Sequence, residues 1–312
     1  MDNVNQGAVG IIGLGIMGSA IADQLISKGF SVFGFDPNRK ASAKARKSGV
    51  RLVASPQDLL NHSRQLLSSL PSSEAFVASC DALIKHQSNL AANGGMVKAA
   101  QPSGAGIVLA ETSTLTIEDK QQQQQRLAAA GITLLDCPLS GTGAQARVGD
   151  LVVYASGPKH AVRGMMPLFA GFSRAQFDLG RFGNGMRMKL VANLLVAIHN
   201  VAAAEAILLG RRMGLNPADV VRVVADGAGS SRMLQVRGPM MASGNWQDAT
   251  MKVSVWQKDM SIISQALAQT QTPAPLFAAS APIYHAAQAL GLGEQDTAAV
   301  MAVLEQMVGG NP

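Results

Sequence analysis

The chain has 312 residues, 47% hydrophobic and 15% charged, with a formal net charge of +6 and no dense Lys/Arg block. That balance excludes a disordered chain and argues against nucleic acid as a partner, while a mild positive bias suits small anionic ligands. Cys80 and Cys137 are the only cysteines, which excludes a disulfide framework and a Cys-based zinc site.

Met1 to Gly7 reads as a polar tail. It carries Asp2, lacks a basic start, and is not expected to be a signal peptide. No uninterrupted apolar run approaches the roughly 20 residues that span a bilayer. The expectation is a cytoplasmic protein with no membrane partner.

Ala8 to Ile12 has the apolar run of a buried parallel strand. Gly13, Gly15 and Gly18 follow in G-x-G-x-x-G spacing. An amphipathic segment runs to Gly29, and a second apolar run, Val32 to Phe35, ends on Asp36. If the ligand is a dinucleotide, each piece has a job. Gly13 allows the tight turn, Gly15 lets backbone approach the pyrophosphate, and Gly18 lets helix and strand pack closely. The helix N-terminus offers N–H groups and partial positive charge to the phosphates. Asp36 ends the second strand, where a carboxylate accepts from a ribose hydroxyl. Asp36 therefore favours NAD, although Arg39 and Lys40 could receive the 2′-phosphate of NADP.

Further on, Asn38 to Ser48 reads as a helix and Arg51 to Val53 as a strand. Ser55-Pro56 starts another helix, as an N-cap with Pro at the first position. Gln65 to Leu70 is a strand that stops at Leu70-Pro71, and Glu74 to His86 a helix. His86 to Gly106 carries the breakers Gly94-Gly95 and Pro102-Ser103-Gly104. Ile107 to Glu111 is a strand, then Thr112-Ser113-Thr114, then a helix whose run Gln121 to Gln125 reads as an exposed face. Ile132 to Asp136 and Leu151 to Ala155 are strands, and His160 to Ala170 a helix. The alternation predicts an α/β fold with a Rossmann-type, mostly parallel, doubly wound sheet over residues 1–182.

From Gly183 the pattern changes. Between Lys189 and Leu209 the only polar side chains are Lys189, Asn193, His199, Asn200 and Glu205. A helix apolar almost all round is expected in a core. Residues 183–312 are therefore expected to form an all-α domain around this spine, with Pro217 at a helix start and Pro273 and Pro282 as breakers.

Ligands of doubly wound sheets lie across the carboxyl ends of the strands. That singles out Leu70-Pro71, Thr112-Ser113-Thr114 and Ser140-Gly141-Thr142-Gly143, each of which could also be ordinary turn chemistry. Lys189 is sharper. A lysine on an apolar helix, with Asn193 one turn later on the same face, must reach solvent, pair, or line a cleft. In a cleft, loss of water disfavours the charged amine, which suits general acid–base work. Snorkelling from the helix end is the other reading. The five scattered histidines form no metal-ligand spacing, and His199 is expected to be a core histidine.

These stretches together resemble the β-hydroxyacid dehydrogenases. Gly13-Leu14-Gly15-Ile16-Met17-Gly18 is similar to that family's G-x-G-x-M-G start, and Asp136-Cys137-Pro138-Leu139-Ser140-Gly141-Thr142 to its D-A-P-V-S-G-G substrate loop. Gly183-Asn184-Gly185, Lys189 and Asn193 resemble its G-x-G-x-x-x-K-x-x-N-N helix. Ser113-Thr114 resembles the S-T near the nicotinamide, and Lys258-Asp259 the late K-D pair that closes over cofactor and substrate. The chain departs from the pattern at Ala192, Thr142 and Glu111, where the family has Asn, Gly and Asp.

The resemblance implies hydride transfer between a nicotinamide cofactor, NAD or NADP, and a small β-hydroxy acid or its semialdehyde, of the 3-hydroxyisobutyrate and tartronate semialdehyde class. It implies Lys189 and Asn193 as catalytic residues and Ser140, Gly141, Thr142 and Asp259 at the substrate. At the cofactor it implies the glycine turn (Gly13 to Gly18), Asp36, Pro37, Asn38, Leu70, Pro71, Ser113, Thr114 and Lys258. A homodimer or homotetramer is expected. The alternatives are an oxidative decarboxylase like 6-phosphogluconate dehydrogenase and a non-catalytic NAD(P)H-binding sensor.

Overall fold

The computed structural model describes residues 7–92 and 106–309. The tail Met1–Gln6 and the breakers Gly94-Gly95 and Pro102-Ser103-Gly104 lie outside them. Contacts group the chain into two units that meet after Lys189.

The first unit is built on a parallel sheet. Its strands are β1 (Ala8–Ile12), β2 (Ser31–Phe35), β3 (Arg51–Leu52), β4 (Gln65–Ser68), β5 (Ile107–Glu111) and β6 (Ile132–Asp136). Their order is β3-β2-β1-β4-β5-β6, which reverses direction between β1 and β4. The register aligns Phe35, Ile12, Ser68, Glu111 and Asp136 across the sheet. The glycine turn, Asp36, Leu70-Pro71 and Thr112-Ser113-Thr114 therefore all follow strands at one end of the sheet. That reversal is where doubly wound sheets open a ligand crevice.

Side chains alternate between the two faces, as a pleated strand requires. Val9, Ile11, Leu67 and Leu135 pack on one face with α1 (Ile16–Ser27) and α6 (Lys159–Ala170). Ile12, Leu66, Leu109 and Leu134 pack on the other with α3 (Ser73–Ala92) and α4 (Ile117–Ala129). Between β2 and β3 lies α2 (Arg39–Lys47), N-capped by Asn38, whose Oδ1 accepts from the Lys40 and Ala41 amides.

Three expectations for this half are corrected. Leu151 to Ala155 does not extend the main sheet: β8 (Val152–Ala155) pairs antiparallel with β7 (Leu139–Ser140) and parallel with β9 (Ala175–Asp178) in a separate three-stranded sheet. Ser140 to Gly143 therefore follows β7, not a strand of the main sheet, and leads into α5 (Gly143–Arg147). The glutamine run is not all exposed, because α4 turns Lys120, Gln123 and Leu127 inward as one stripe. The expected helix after Ser55-Pro56 is present over Pro56–Asn61 with Ser55 at its N-cap and Pro56 first, as a 3-10 helix.

From Leu190 onward, the described residues are helical and form no strand. The spine, α7 (Asn184–Arg212), has 29 residues, about 43 Å at 1.5 Å each. By length and composition alone α7 could cross a membrane. Its polar groups instead tie it into the protein. Asn200 Nδ2 donates to Tyr284 Oη (3.1 Å) and to the Thr297 carbonyl (2.9 Å), all buried.

The rest comprises α8 (Pro217–Ala225), α9 (Arg232–Ser243), α10 (Val253–Gln269), α11 (Pro275–Ala289) and α12 (Val300–Met307). Asp296 clamps them: Oδ1 meets Arg237 Nε at 2.9 Å, and Oδ2 accepts from the Thr250 and Met251 amides. Burial raises the pKa of this carboxyl, but Arg237 and the amides outweigh that and hold it below the usual range.

Here too the structure corrects the sequence. Pro282 lies inside α11 and ends no helix. The spine is not buried all round: Met188, Val191, Leu195 and Leu209 are exposed. His199 is half-buried rather than a core residue.

Candidate active site

The glycine turn is shaped by what side chains would strike. Gly13 has φ +90°, and a Cβ there would lie 2.2 Å from the Ser69 carbonyl oxygen. At Gly18 a Cβ would lie 1.9 Å from the Gly13 carbonyl, so close packing of helix on strand requires glycine. A Cβ at Gly15 would meet nothing within 4 Å. The glycine that fold packing does not demand is thus the one where backbone should approach a ligand. Gly15 stands at the N-cap of α1, and no side chain caps that helix. Its first amides remain suited to phosphate.

Asp36 is drawn into the same turn: Oδ2 accepts from the Leu14 amide and Oδ1 from the Asn38 amide, each at 2.7 Å. Pro37 and Asn38 are exposed beside it, as are Arg39 and Lys40. The loops after β4 and β5 are joined, because the Leu70 amide donates to Ser113 Oγ at 2.7 Å. Thr112 Oγ1 donates to the Ser68 carbonyl (2.7 Å). Pro71 is exposed, and Thr114 half-buried. These residues form a cradle that fits a dinucleotide: uncapped amides, a carboxylate for the ribose, and space beside Gly15.

The Ser140 loop is held by its own turn. Gly141 sits at φ +131°, where a Cβ would approach Leu151 Cδ2 to 2.6 Å. Thr142 is the N-cap of α5 in a reciprocal capping box with Gln145. Its amide already donates to Gln145 Oε1 at 3.0 Å. Gly143 packs against Ile16, which ties this loop to the glycine turn.

Lys189 is 9% exposed, on the second turn of α7. All four leading amides of that helix are satisfied. Asn184 donates to the Arg181 carbonyl and Arg187 to that of Gly183, while Gly185 donates to Ser156 Oγ (2.9 Å) and Met186 to Asp136 Oδ2 (2.8 Å). Gly185 is required, since a Cβ there would lie 2.4 Å from the Tyr154 carbonyl. Asn193, one turn beyond Lys189, is buried and donates to Asp259 Oδ2 at 3.0 Å. Asp259 Oδ1 lies 3.5 Å from Nζ of the half-exposed Lys258. The late K-D pair and Asn193 are therefore one cluster.

Sequence reasoning missed a buried ion cluster beneath these loops. Lys120 Nζ lies 2.7 Å from Glu111 Oε2 and 2.8 Å from Asp136 Oδ1, all three fully buried. Burial alone would lower the pKa of the Lys120 ammonium, but the two carboxylates hold it above the ordinary lysine range. Burial pushes the neighbouring Cys80 thiol up to about 12, and Glu111 adds to it. The one sequence signal was that Lys120 falls on the inward stripe with Leu127.

Comparison with known proteins decides the family. Residues 8–180 match the NAD binding domain of 6-phosphogluconate dehydrogenase, and residues 183–304 the NAD-binding region of NADP-dependent 3-hydroxyisobutyrate dehydrogenase. The chain belongs to the β-hydroxyacid dehydrogenase family. It is 28% identical to an L-threonate dehydrogenase of Pectobacterium atrosepticum, covering 97% of this chain and 96% of that one. It is 26% identical to a 2-(hydroxymethyl)glutarate dehydrogenase of Eubacterium barkeri, covering 96% of each. Among solved structures, a 3-hydroxyisobutyrate dehydrogenase of Salmonella typhimurium superposes with a TM-score of 0.77 at 25% identity, covering 96% of this chain and 100% of that one. The chain is an NAD(P)-dependent enzyme that acts on CH–OH groups, and its substrate is small.

Proposed function

We propose that this β-hydroxyacid dehydrogenase interconverts a small β-hydroxy acid and its semialdehyde, of the 3-hydroxyisobutyrate and tartronate semialdehyde class, with Lys189 as general acid and base. The observation that carries the reading is a lysine 9% exposed on a helix whose first amides are all fastened. A flexible side chain on a fixed turn is suited to meeting one hydroxyl in one place. The names of the relatives support the substrate class: threonate and 2-(hydroxymethyl)glutarate both carry a hydroxyl on the carbon β to a carboxylate.

In this reading the Gly13–Gly18 turn, Asp36, Leu70 and Ser113-Thr114 hold the dinucleotide, which supplies hydride exchange when bound. The Ser140 hydroxyl, the Gly141 amide and the Thr142 hydroxyl receive the substrate carboxylate. During oxidation, neutral Lys189 takes the proton from the β-hydroxyl as the C–H hydride leaves. During reduction, the ammonium returns it to the carbonyl oxygen. Asn193 orients the substrate hydroxyl, and its own amide is aimed by Asp259. Exposed apolar side chains on α7 and α8 support a homodimer or homotetramer.

The test is Lys189→Met, assayed in both directions against a panel of hydroxy acids and semialdehydes. Turnover should fall at least ~100-fold, the low end for a positioned acid–base group. Near-normal turnover in that variant would falsify the assignment.

A further inference from the structure

Glu111 and Lys120 have no part in the reading above, and Asp136 enters it only by holding the Met186 amide, although all three lie directly under its loops. We propose that this buried cluster is a positioning network that couples the Ser113-Thr114 loop to the first turn of α7 and so sets the place of Lys189. The inference rests on Lys189 as the acid–base group.

The links run without a gap. The Ser113 amide donates to Glu111 Oε1 at 2.8 Å, and Glu111 Oε2 meets Lys120 Nζ at 2.7 Å. The same Nζ meets Asp136 Oδ1 at 2.8 Å. Asp136 Oδ2 accepts from the Met186 amide at 2.8 Å and from Ser156 Oγ at 3.1 Å. Ser156 in turn accepts from the Gly185 amide. At the other end, Ser113 Oγ receives the Leu70 amide.

Stability alone is a poor reason for such a cluster. Glu111 and Asp136 are register neighbours on adjacent strands, so two carboxylates face one cation in a fully buried site. Apolar side chains of like volume commonly hold a core as well or better. What charged forks add is direction, since each carboxylate fixes one partner on either side. Met186 precedes Lys189 by three residues, the spacing that puts neighbours on one helix face. A tilt of that first turn moves Lys189 with it. Misplacement of a reacting group by about 1 Å can cost about 100-fold. Glu111 stands where the family has Asp, and its longer arm serves both Ser113 and Lys120.

The test compares Lys120→Met and Glu111→Gln with wild type in the full chain. It measures kcat per dinucleotide-binding site, the Kd for reduced dinucleotide by nicotinamide fluorescence, and the primary deuterium isotope effect on hydride transfer. Positioning predicts kcat lowered at least tenfold, Kd within threefold, and a larger isotope effect as chemistry becomes limiting. A merely structural cluster would lower the folded fraction and leave kcat per site and the isotope effect at wild-type values, which overturns the proposal. If Lys120→Met does not fold, Glu111→Gln, which keeps shape and loses charge, decides alone. Lys189→Met run in parallel separates the two readings. Full activity there sinks the acid–base assignment. An inactive Lys189→Met beside wild-type behaviour in the other two variants sinks only the network.

Discussion

In the proposed cofactor site, Asp36 is the residue on which the choice between NAD and NADP is expected to turn. Its carboxylate already accepts from the Leu14 and Asn38 amides, yet each oxygen keeps a second acceptor direction for a ribose hydroxyl. A 2′-phosphate would instead bring its charge against a carboxylate that two amides hold in place. Exposed Arg39 and Lys40 pull the other way, but both carry long, freely rotating side chains in water, where a charge contact contributes little. NADH should therefore be preferred to NADPH by about tenfold or more in kcat/KM, a modest share of a close charge repulsion. Asp36→Asn should narrow the ratio, since it keeps the acceptor oxygen and loses the charge. Rates with the two reduced cofactors side by side check this, and an NADPH preference in the wild type refutes it.

At the scale of elements, the glycine turn and the start of α7 make opposite demands on glycine. Gly15→Ala adds a methyl into open space, so thermal unfolding should shift by no more than about 3 °C while dinucleotide affinity falls at least tenfold. Gly185→Ala drives a methyl to 2.4 Å from the Tyr154 carbonyl and 2.7 Å from that of Asp136, so it should destabilise by about 2 kcal/mol or more. Calorimetry with and without cofactor separates the two effects, and a Gly15→Ala protein that binds normally would remove the cradle as the pyrophosphate site. The contrast also marks what local pattern can carry. The strand, glycine, helix, strand and acid order is local, so Ala8 to Asp36 was readable residue by residue. Asp136, Lys120 and Met186 are joined only after three elements pack, and a lysine followed by five glutamines has the local look of a solvated face. Likewise β7 and β9 are short and paired to β8 at a distance, so neither had a signal of its own. Pro282 misled for the same reason: its cost to a helix is local, and the packing of α11 outweighs it.

For the molecule as a whole, what remains is the apolar surface that the single chain leaves uncovered. Val191 and Leu209 on α7 are 59% and 63% exposed, and Leu209, Met213, Leu215 and Val223 line an open apolar groove of about 470 Å³. The sequence placed this almost wholly apolar helix in a core, and such a helix has no reason to be apolar on a face that meets only water. A second copy of the chain would cover it, and stable association asks for about 1,600 Å² of total buried surface. Sedimentation equilibrium should then give a particle of two or four chains of 32.4 kDa each. The pair Leu209→Glu and Val223→Glu, both on exposed positions, should shift that mass toward one chain while circular dichroism keeps its helical signal. A wild-type particle of one chain at micromolar concentration overturns the assembly, and a mass unchanged by the two charges moves the contact away from this groove.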